Sequence, residues 1–350
     1  MNVVFRYRIR KPKDLPARAE AVNFVWNFCV NAQKHAKRWG LRWPTPFDLM
    51  KLCSGATKEL GLHSDTLQDI PKQFAKSRDQ HKKRPRYRSS KGKRRALGWV
   101  PFMSGRAIKV GTSTVTYLGK KYSIWKHREM PSGATVKCGS FSEDARGRWY
   151  VNLCVDVPEC KGAGVEEIGI DLGLRELATL SNGENIPNPR HYRALEDKLG
   201  KAQRAGRSAR ANAIHAKIKN RRRHDLHVAS RHLVNRCKSI FVGNVNASKL
   251  AKTKMAKSVL DAGWSEFRNM LDYKSRWASV VFREVNEANS TRVCSRCKTA
   301  SGPKGIADLG VREWTCVACG AVHDRDVNAA QNILLLGQNA VLLQTESPGL

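Results

Sequence analysis

Acidic residues are scarce in this chain, and long hydrophobic runs are missing. Only 30 aspartates and glutamates accompany 64 lysines and arginines in 350 residues, which leaves a formal net charge of +34 at pH 7. The most apolar segment, residues 332–343, is interrupted by Gln338 and Asn339 well short of the ~20 residues that a membrane span needs. No signal-peptide pattern opens the chain. We therefore expect a soluble, intracellular protein with no membrane partner, whose surface binds a polyanion.

The composition is otherwise that of a folded protein. Hydrophobic residues make up 41% of the sequence and glycines add 26 residues, which excludes a disordered basic tail and, at this length, predicts about two domains. In the first half, the patterns predict a strand at 1–12, helices over 16–39, 46–60 and 65–80, short strands over 107–158, and a boundary near 161–164. In the second half, they predict two strands over 165–183, two basic helices over 195–236, a buried strand at 239–245, a helix over 260–274, a strand at 277–285 and a final helix from about 327.

Two clusters of basic residues are candidates for contact with nucleic-acid phosphates. A charge run is often only a solvated helix or loop face, but here the whole chain is basic and Tyr87 and Trp99 are interleaved with the charges, which favours nucleic-acid binding. The candidates in the first cluster are Lys82, Lys83, Arg84, Arg86, Tyr87, Arg88, Arg94 and Arg95. Those in the second are Arg204, Arg207, Arg210, Arg221, Arg222 and Arg223.

Four cysteines have the spacing of a metal site. Cys294 and Cys297 form one Cys-x-x-Cys pair, and Cys316 and Cys319 form a second one, with 18 residues between the two pairs. A single redox pair would not explain both, whereas four thiolates at this spacing are typical of a tetrahedral zinc site. Four thiolates leave no open coordination position, so we expect the zinc to be structural.

Three aspartates stand out because acids are few. Asp171 ends the predicted strand in IGIDLG, and Asp324 and Asp326 precede the final helix in HDRDVNAAQNI. Taken singly, a strand-end aspartate is more often a turn former and an aspartate before a helix more often an N-cap. Taken together in a chain suited to phosphate, they are candidates for a shared metal site.

The sequence resembles a known family at these motifs. IGIDLG, the CSRC…CVACG pair and DRDVNAAQNI together resemble the RuvC-type nuclease domain of TnpB, the transposon-encoded RNA-guided DNA endonucleases related to compact CRISPR type V effectors. The resemblance implies a mixed α/β and β fold, with a barrel-like wedge domain at 1–15 and 84–162 and a helical recognition insert at 16–83. It also implies an RNase H-like (RuvC) domain at 163–350 with a zinc ribbon at 290–322. The implied partners are a guide RNA and double-stranded target DNA, in the cytoplasm of a prokaryote near its nucleoid.

The same resemblance implies a Mg²⁺-dependent catalytic site of three carboxylates. Motif matching identifies Asp171 as the first and Asp326 as the third, which would bind two Mg²⁺ ions for phosphodiester hydrolysis. The family's second acid, a glutamate on the fourth strand, is replaced here by Gly243. Glu284 and Glu287 on the next strand are the candidate substitutes. Strand alternation puts them on opposite faces, and we prefer Glu287 because it lies nearer the strand end.

Three other functions stay open on sequence alone. The leading alternative is a nuclease-deficient, RNA-guided DNA-binding protein that acts as a repressor, because Gly243 removes the usual acid. A zinc-ribbon RNA-binding protein unrelated to transposons would explain the charge and the cysteines but not Asp171 with DRDVNAA. A strand-transferring transposase would be distinguished by joining of DNA ends. The oligomeric state does not follow from the sequence.

Overall fold

The chain divides into two compact units, Met1–Pro158 and Glu159–Leu350. This computed structural model describes residues 2–92, 94–103, 105, 108–158, 162, 164–246, 250, 252–253, 255–304, 308 and 310–345. The predicted domain boundary at 162–163 therefore falls partly outside the described residues. Within them, none of the helices combines the length and the apolar composition that crossing a bilayer requires.

The first unit is built on a seven-stranded antiparallel sheet with the strand order β2-β6-β7-β1-β5-β4-β3. Its strands are β1 (Asn2–Ile9), β2 (Trp99–Phe102), β3 (Ile108–Val110), β4 (Thr114–Tyr117), β5 (Lys120–Trp125), β6 (Thr135–Glu143) and β7 (Trp149–Asp156). The opening strand alternates between exposed and buried residues, as its period-two pattern predicts. It pairs with β5 and β7, across the helical insert. The edge strands β2 and β3 show no mutual pairing among the described residues, so the predicted barrel closure is not confirmed.

Four helices are inserted after β1: α1 (Leu15–Arg38), α2 (Pro46–Leu52), α3 (Thr57–Leu60) and α4 (Ser64–His81). The apolar stripe of α1 buries Val22, Trp26 and Val30. Trp26 packs edge-on against Phe74 of α4, with ring centroids 5.3 Å apart. A capping box between Thr45 and Asp48 starts α2 at Pro46, where the predicted helix over 46–60 begins.

The second unit contains a five-stranded sheet with the order β10-β9-β8-β11-β12. Its strands are β8 (Glu166–Leu172), β9 (Glu176–Leu180), β10 (Asn185–Pro187), β11 (Cys237–Gly243) and β12 (Val281–Val285). β11 runs parallel to both β8 and β12 and lies between them. The strand that carries Gly243 therefore lies between the strand that carries Asp171 and the strand that carries Glu284.

Helices cover both faces of this sheet. They are α5 (Glu196–Arg204), α6 (Ser208–Arg236), α7 (Ala256–Ala262), α8 (Trp264–Trp277) and α9 (Arg325–Thr345). Ile170 and Val242 point into one core with α6, α7 and α8. Phe241 and Val285 point the other way and pack on Ile333 of α9. A short hairpin of β13 (Glu313–Thr315) and β14 (Val322–Asp324) precedes α9.

Candidate functional site

The face of β8 that carries Asp171 lies against α9. A Cβ atom added at Gly169 would lie 2.1 Å from the Ala330 carbonyl oxygen, so only glycine allows the helix to pack this closely on the strand. Ala329 and Ala330 are fully buried at the contact. The small residues in the IGIDLG and DRDVNAA motifs therefore bring the start of α9 close to the end of β8.

The environment of Asp171 disfavours its ionised form. Burial raises the pKa of its carboxyl well above the ordinary aspartate value, and the negative charges of Glu287 and then Asp326 raise it further. The positive charge of Arg325 opposes this effect. The carboxyl groups of Glu287, just after β12, and of Asp326, at the start of α9, therefore both lie close enough to Asp171 on β8 to act on it electrostatically.

The two aspartates before α9 have different roles. Asp324 is the N-cap, because its Oδ1 accepts hydrogen bonds from the backbone N–H groups of Asp326 (2.9 Å) and Val327 (2.8 Å). The Asp326 side chain is left free of capping and forms a 3.0 Å salt bridge with Arg312. Sequence reasoning missed Arg312, since nothing in its local pattern connects it with an acid 14 residues away.

Glu287 occupies the space that opens at Gly243. Gly243 lies opposite Val285 in the parallel register of β11 and β12, and Glu287 follows two residues later on the same face. A Cβ atom added at Gly243 would lie only 2.2 Å from Glu287 Oε2. The Glu287 carboxylate therefore stands where a side chain of residue 243 would begin.

Glu284 faces the opposite side of the sheet. Its carboxylate forms a 2.9 Å salt bridge with Arg268 of α8. The structure thus brings Glu287, and not Glu284, to the face shared by Asp171 and Asp326.

The Glu287 carboxylate carries an oxygen suited to a divalent cation. Glu287 Oε2 is buried and has no hydrogen-bond partner among the described residues, which is costly for a carboxylate unless a cation or a proton satisfies it. Burial raises the pKa of Glu287, against the opposing charge of Arg268. Hard carboxylate oxygens with room for water and phosphate are the ligands that Mg²⁺ prefers.

The four predicted cysteines form one cluster, in which every pair of sulfur atoms is within 4.8 Å. Cys294 Sγ lies 3.7 Å from Cys319 Sγ, and Cys297 Sγ lies 3.5 Å from Cys316 Sγ. A tetrahedron with metal–sulfur bonds of ~2.3 Å has edges of about 3.8 Å. The cluster could therefore bind zinc. The predicted ribbon range also contains residues 305–307 and 309, which lie outside the described residues.

The cysteine cluster is attached to α9 by side chains that sequence reasoning did not single out. Asn328 donates from Nδ2 to the Val293 carbonyl oxygen (2.9 Å) and accepts from the Ser295 N–H (2.8 Å). Asn332 donates to the same carbonyl at 2.7 Å. These bonds fix the first Cys-x-x-Cys turn on α9, the helix that carries Asp326.

His323 is a second residue of the ribbon that the spacing alone did not reveal. Its Nε2 lies 3.1 Å from Cys294 Sγ, a position suited to a partner that orients a metal-bound thiolate. The only local signal is its place just before the Asp324 cap. Its ring also packs on Trp314, with centroids 4.8 Å apart.

Two arginines of the first basic cluster form hydrogen bonds within the protein. The Arg88 guanidinium donates to Asn23 Oδ1 at 2.7 Å and lies over the ring of Trp99, which packs inward. Arg95 forms two 2.7 Å hydrogen bonds with Glu143. The remaining candidates of this cluster are exposed: Lys82, Lys83, Arg84, Arg86, Tyr87 and Arg94. Their binding role remains a prediction.

The second basic cluster shows the same division. Arg222 donates to the Leu260 carbonyl oxygen at 3.0 Å, and Arg223 forms a 3.1 Å salt bridge with Glu266. The other members are exposed on α5, on α6 or between these helices: Arg204, Arg207, Arg210 and Arg221. In each cluster, some arginines bind other groups of the protein, so the predicted contact with nucleic acid applies to the exposed members only.

Comparisons with known proteins identify matching family models and a similar fold. Residues 264–333 match the family model "Cas12f1-like, TNB domain", and residues 151–254 match the IS605 OrfB model "Probable transposase". The fold aligns with the cryo-EM structure of a Cas12f1-sgRNA-target DNA complex. The alignment covers 91% of this chain and 81% of the matched chain. At a TM-score of 0.57 and 14% identity, this match shows a similar fold.

Curated relatives extend the similarity to sequence. A Streptomyces pristinaespiralis protein named "Putative RNA-guided DNA endonuclease" is 36% identical over 286 residues, which are 77% of this chain and 70% of that protein. Escherichia coli InsQ, of the same designation, is 27% identical over 228 residues, about half of each chain (56% and 55%). The chain belongs to the TnpB/IS605 transposase family.

Proposed function

We propose that this protein is an RNA-guided DNA endonuclease whose cleavage site consists of Asp171, Glu287 and Asp326 with Mg²⁺. The observation that carries the proposal is the position of Glu287, whose carboxylate occupies the space left by Gly243. The replacement of the family's second acid by glycine is then part of a relocated site. Relatives named as RNA-guided DNA endonucleases support the same activity.

The acidic residues would act as the cation ligands. Mg²⁺ held by them would supply an activated water and neutralise charge on the scissile phosphate. Asp171 and Glu287 have raised pKa values, so each must lose any proton it holds before it can serve as a ligand. Asp326 must also exchange its salt bridge with Arg312 for the cation. The Asp324 cap holds the first turn of α9 in place during this exchange.

The cysteine cluster would hold structural Zn²⁺. Its four thiolates fill a tetrahedral site, and the hydrogen bonds of Asn328 and Asn332 connect the first turn of that site to α9. The zinc would thus help to position the helix that carries Asp326.

Guide RNA and double-stranded DNA are the proposed partners, in the cytoplasm of a prokaryote near the nucleoid. The net charge of +34 and the exposed lysines and arginines support binding to their phosphates. In such a protein, base pairing with the guide supplies sequence choice. The residues 1–15 and 84–162 would form the wedge domain, and 16–83 the recognition insert.

The decisive experiment uses the full chain with its co-purified RNA and a matched DNA target. We expect cleavage with Mg²⁺ and none with EDTA, and loss of cleavage in Asp171→Asn and in Glu287→Gln. Glu284→Gln is the matched control, because it removes a carboxylate of the same strand from the opposite face. Guide-dependent binding without nicking in Mg²⁺ or Mn²⁺ would instead identify a repressor, and joining of DNA ends would identify a transposase.

A further inference from the structure

One face of α1 carries aromatic side chains that are exposed. Phe24 and Phe28 are one turn apart and are 64% and 39% exposed, while the opposite stripe of the helix is buried in the unit. His35 continues the same face at helical spacing. Trp39, 61% exposed, follows the helix end with its ring 6.1 Å from that of His35.

A fourth exposed ring is held against this face from another segment. The Tyr87 hydroxyl donates to Asn31 Oδ1 at 2.6 Å, one turn beyond Phe28. The backbone of the next residue, Arg88, exchanges two hydrogen bonds with the Asn27 side chain, of 2.7 and 2.9 Å. Tyr87 therefore has a fixed place on α1. We call Phe24, Phe28, Trp39 and Tyr87 the aromatic stripe.

Exposed cations accompany the aromatic stripe. Lys34 and Arg38 lie on the exposed side of α1, and the exposed Arg84 and Arg86 shortly precede Tyr87 in the sequence. The Arg38 guanidinium lies over the Trp39 ring, 5.8 Å from its centroid. No acidic residue follows Glu20 in α1. The surface thus combines flat apolar rings with charge of one sign.

This combination does not suit a second copy of the chain. A homodimer interface is apolar and poor in charge at its centre, and a two-fold contact here would bring like charges together. Rings interleaved with lysine and arginine are instead the features of single-strand binding sites, where bases stack on the rings and phosphates contact the cations.

We propose that the aromatic stripe stacks unpaired bases of a single-stranded nucleic acid. The inference rests on the proposed function only in taking the partner to be a nucleic acid. It adds Phe24, Phe28 and Trp39 to the binding residues and gives Tyr87 a stacking role. An unpaired part of the guide RNA and the displaced DNA strand share this chemistry, and the test below distinguishes these two sources of the bound strand.

The test is binding of RNA-free full chain to labelled oligouridylate, oligothymidylate and a DNA duplex of equal length. Phe28→Ala, Tyr87→Ala and Trp39→Ala should each weaken single-strand binding by about five-fold or more. Duplex affinity and the salt dependence of binding should stay unchanged, because no phosphate contact is lost. Trp125→Ala is the matched control, since Trp125 is 60% exposed on β5 of the same unit. Tighter binding of oligouridylate would indicate the guide RNA as the source of the strand, and tighter binding of oligothymidylate the displaced DNA strand.

Tryptophan fluorescence gives an independent readout. Quenching by the bound strand should disappear in Trp39→Ala and persist in Trp125→Ala. Unchanged affinity in the stripe variants, an equal loss in the control, or an equal loss with duplex would overturn the proposal. So would a dimer in sedimentation that the stripe variants convert to monomer. These assays use no guide and no Mg²⁺, so their outcome is separate from whether the protein cuts DNA.

Discussion

Replacing Gly243 by alanine is the sharpest perturbation of the proposed cleavage site. The new Cβ would lie 2.2 Å from Glu287 Oε2, so the carboxylate must move by about 1 Å or more to reach a normal contact distance. A misplacement of this size at a catalytic group can cost about 10²-fold in rate. We therefore expect Gly243→Ala to lose about two orders of magnitude in cleavage and to bind Mg²⁺ more weakly.

Folding should hardly respond to the same change. The atom that must move most is the end of a flexible side chain, while Glu287 Cβ and Ile333 Cδ1, each 3.2 Å from the new Cβ, need shift only by a few tenths of an ångström. Alanine also restricts the unfolded chain more than glycine, by about 0.4–1 kcal/mol. Urea denaturation should place the free energy of unfolding within about 1 kcal/mol of the parent value. Gly310→Ala is the control, because nothing lies within 4 Å of a Cβ atom at that position.

The assays are Mg²⁺ calorimetry on the purified chain and single-turnover cleavage of a guide-matched target. The double variant Gly243→Glu, Glu287→Ala moves the acid to β11 and should cleave faster than either single variant. Parental Mg²⁺ affinity and cleavage in Gly243→Ala would refute the reasoning, because the Glu287 carboxylate would then not be needed where the structure puts it.

Three further predictions concern the acids and the cysteines. The pKa of Asp171 is raised in the folded protein, so the folded state resists ionisation of this carboxyl. The stability of the metal-free protein should therefore fall as pH rises from the ordinary aspartate pKa to the folded value. Asp171→Asn should reduce this pH dependence of the melting temperature in thermal denaturation. Asp324→Ala should lower the free energy of unfolding by about 1 kcal/mol, because it removes the N-cap of α9. Asp324→Asn should retain most of the stabilisation by the cap, and urea denaturation measures both variants. Elemental analysis should find one zinc per chain, lost in Cys316→Ser and retained in Cys138→Ser.

Local pattern was sufficient where a feature depends on neighbouring residues. The alternation of β1, the start of α2 at Pro46 and the strand that carries Asp171 follow from short-range periodicity and local start signals. The cysteine cluster follows from the spacing of its two pairs, because each turn brings two sulfurs together.

Features that depend on long-range contact could not be predicted in this way. A run of arginines does not tell which guanidinium is used inside the protein, since Arg95 is paired with Glu143, 48 residues away. The salt bridge between Arg312 and Asp326 depends on how the hairpin meets α9. Barrel closure depends on whether β2 and β3 meet, which their sequences do not specify.

Glycine at position 243 and glutamate at 287 are two parts of one arrangement. If cleavage had simply been lost, any small residue would serve in place of the family's glutamate, and alanine or serine would fit the strand better than glycine. Only glycine leaves the space that the Glu287 carboxylate fills. A buried carboxylate oxygen without a hydrogen-bond partner among the described residues is itself destabilising, and in the proposed site a cation bound by Glu287 and Asp171 would remove that cost.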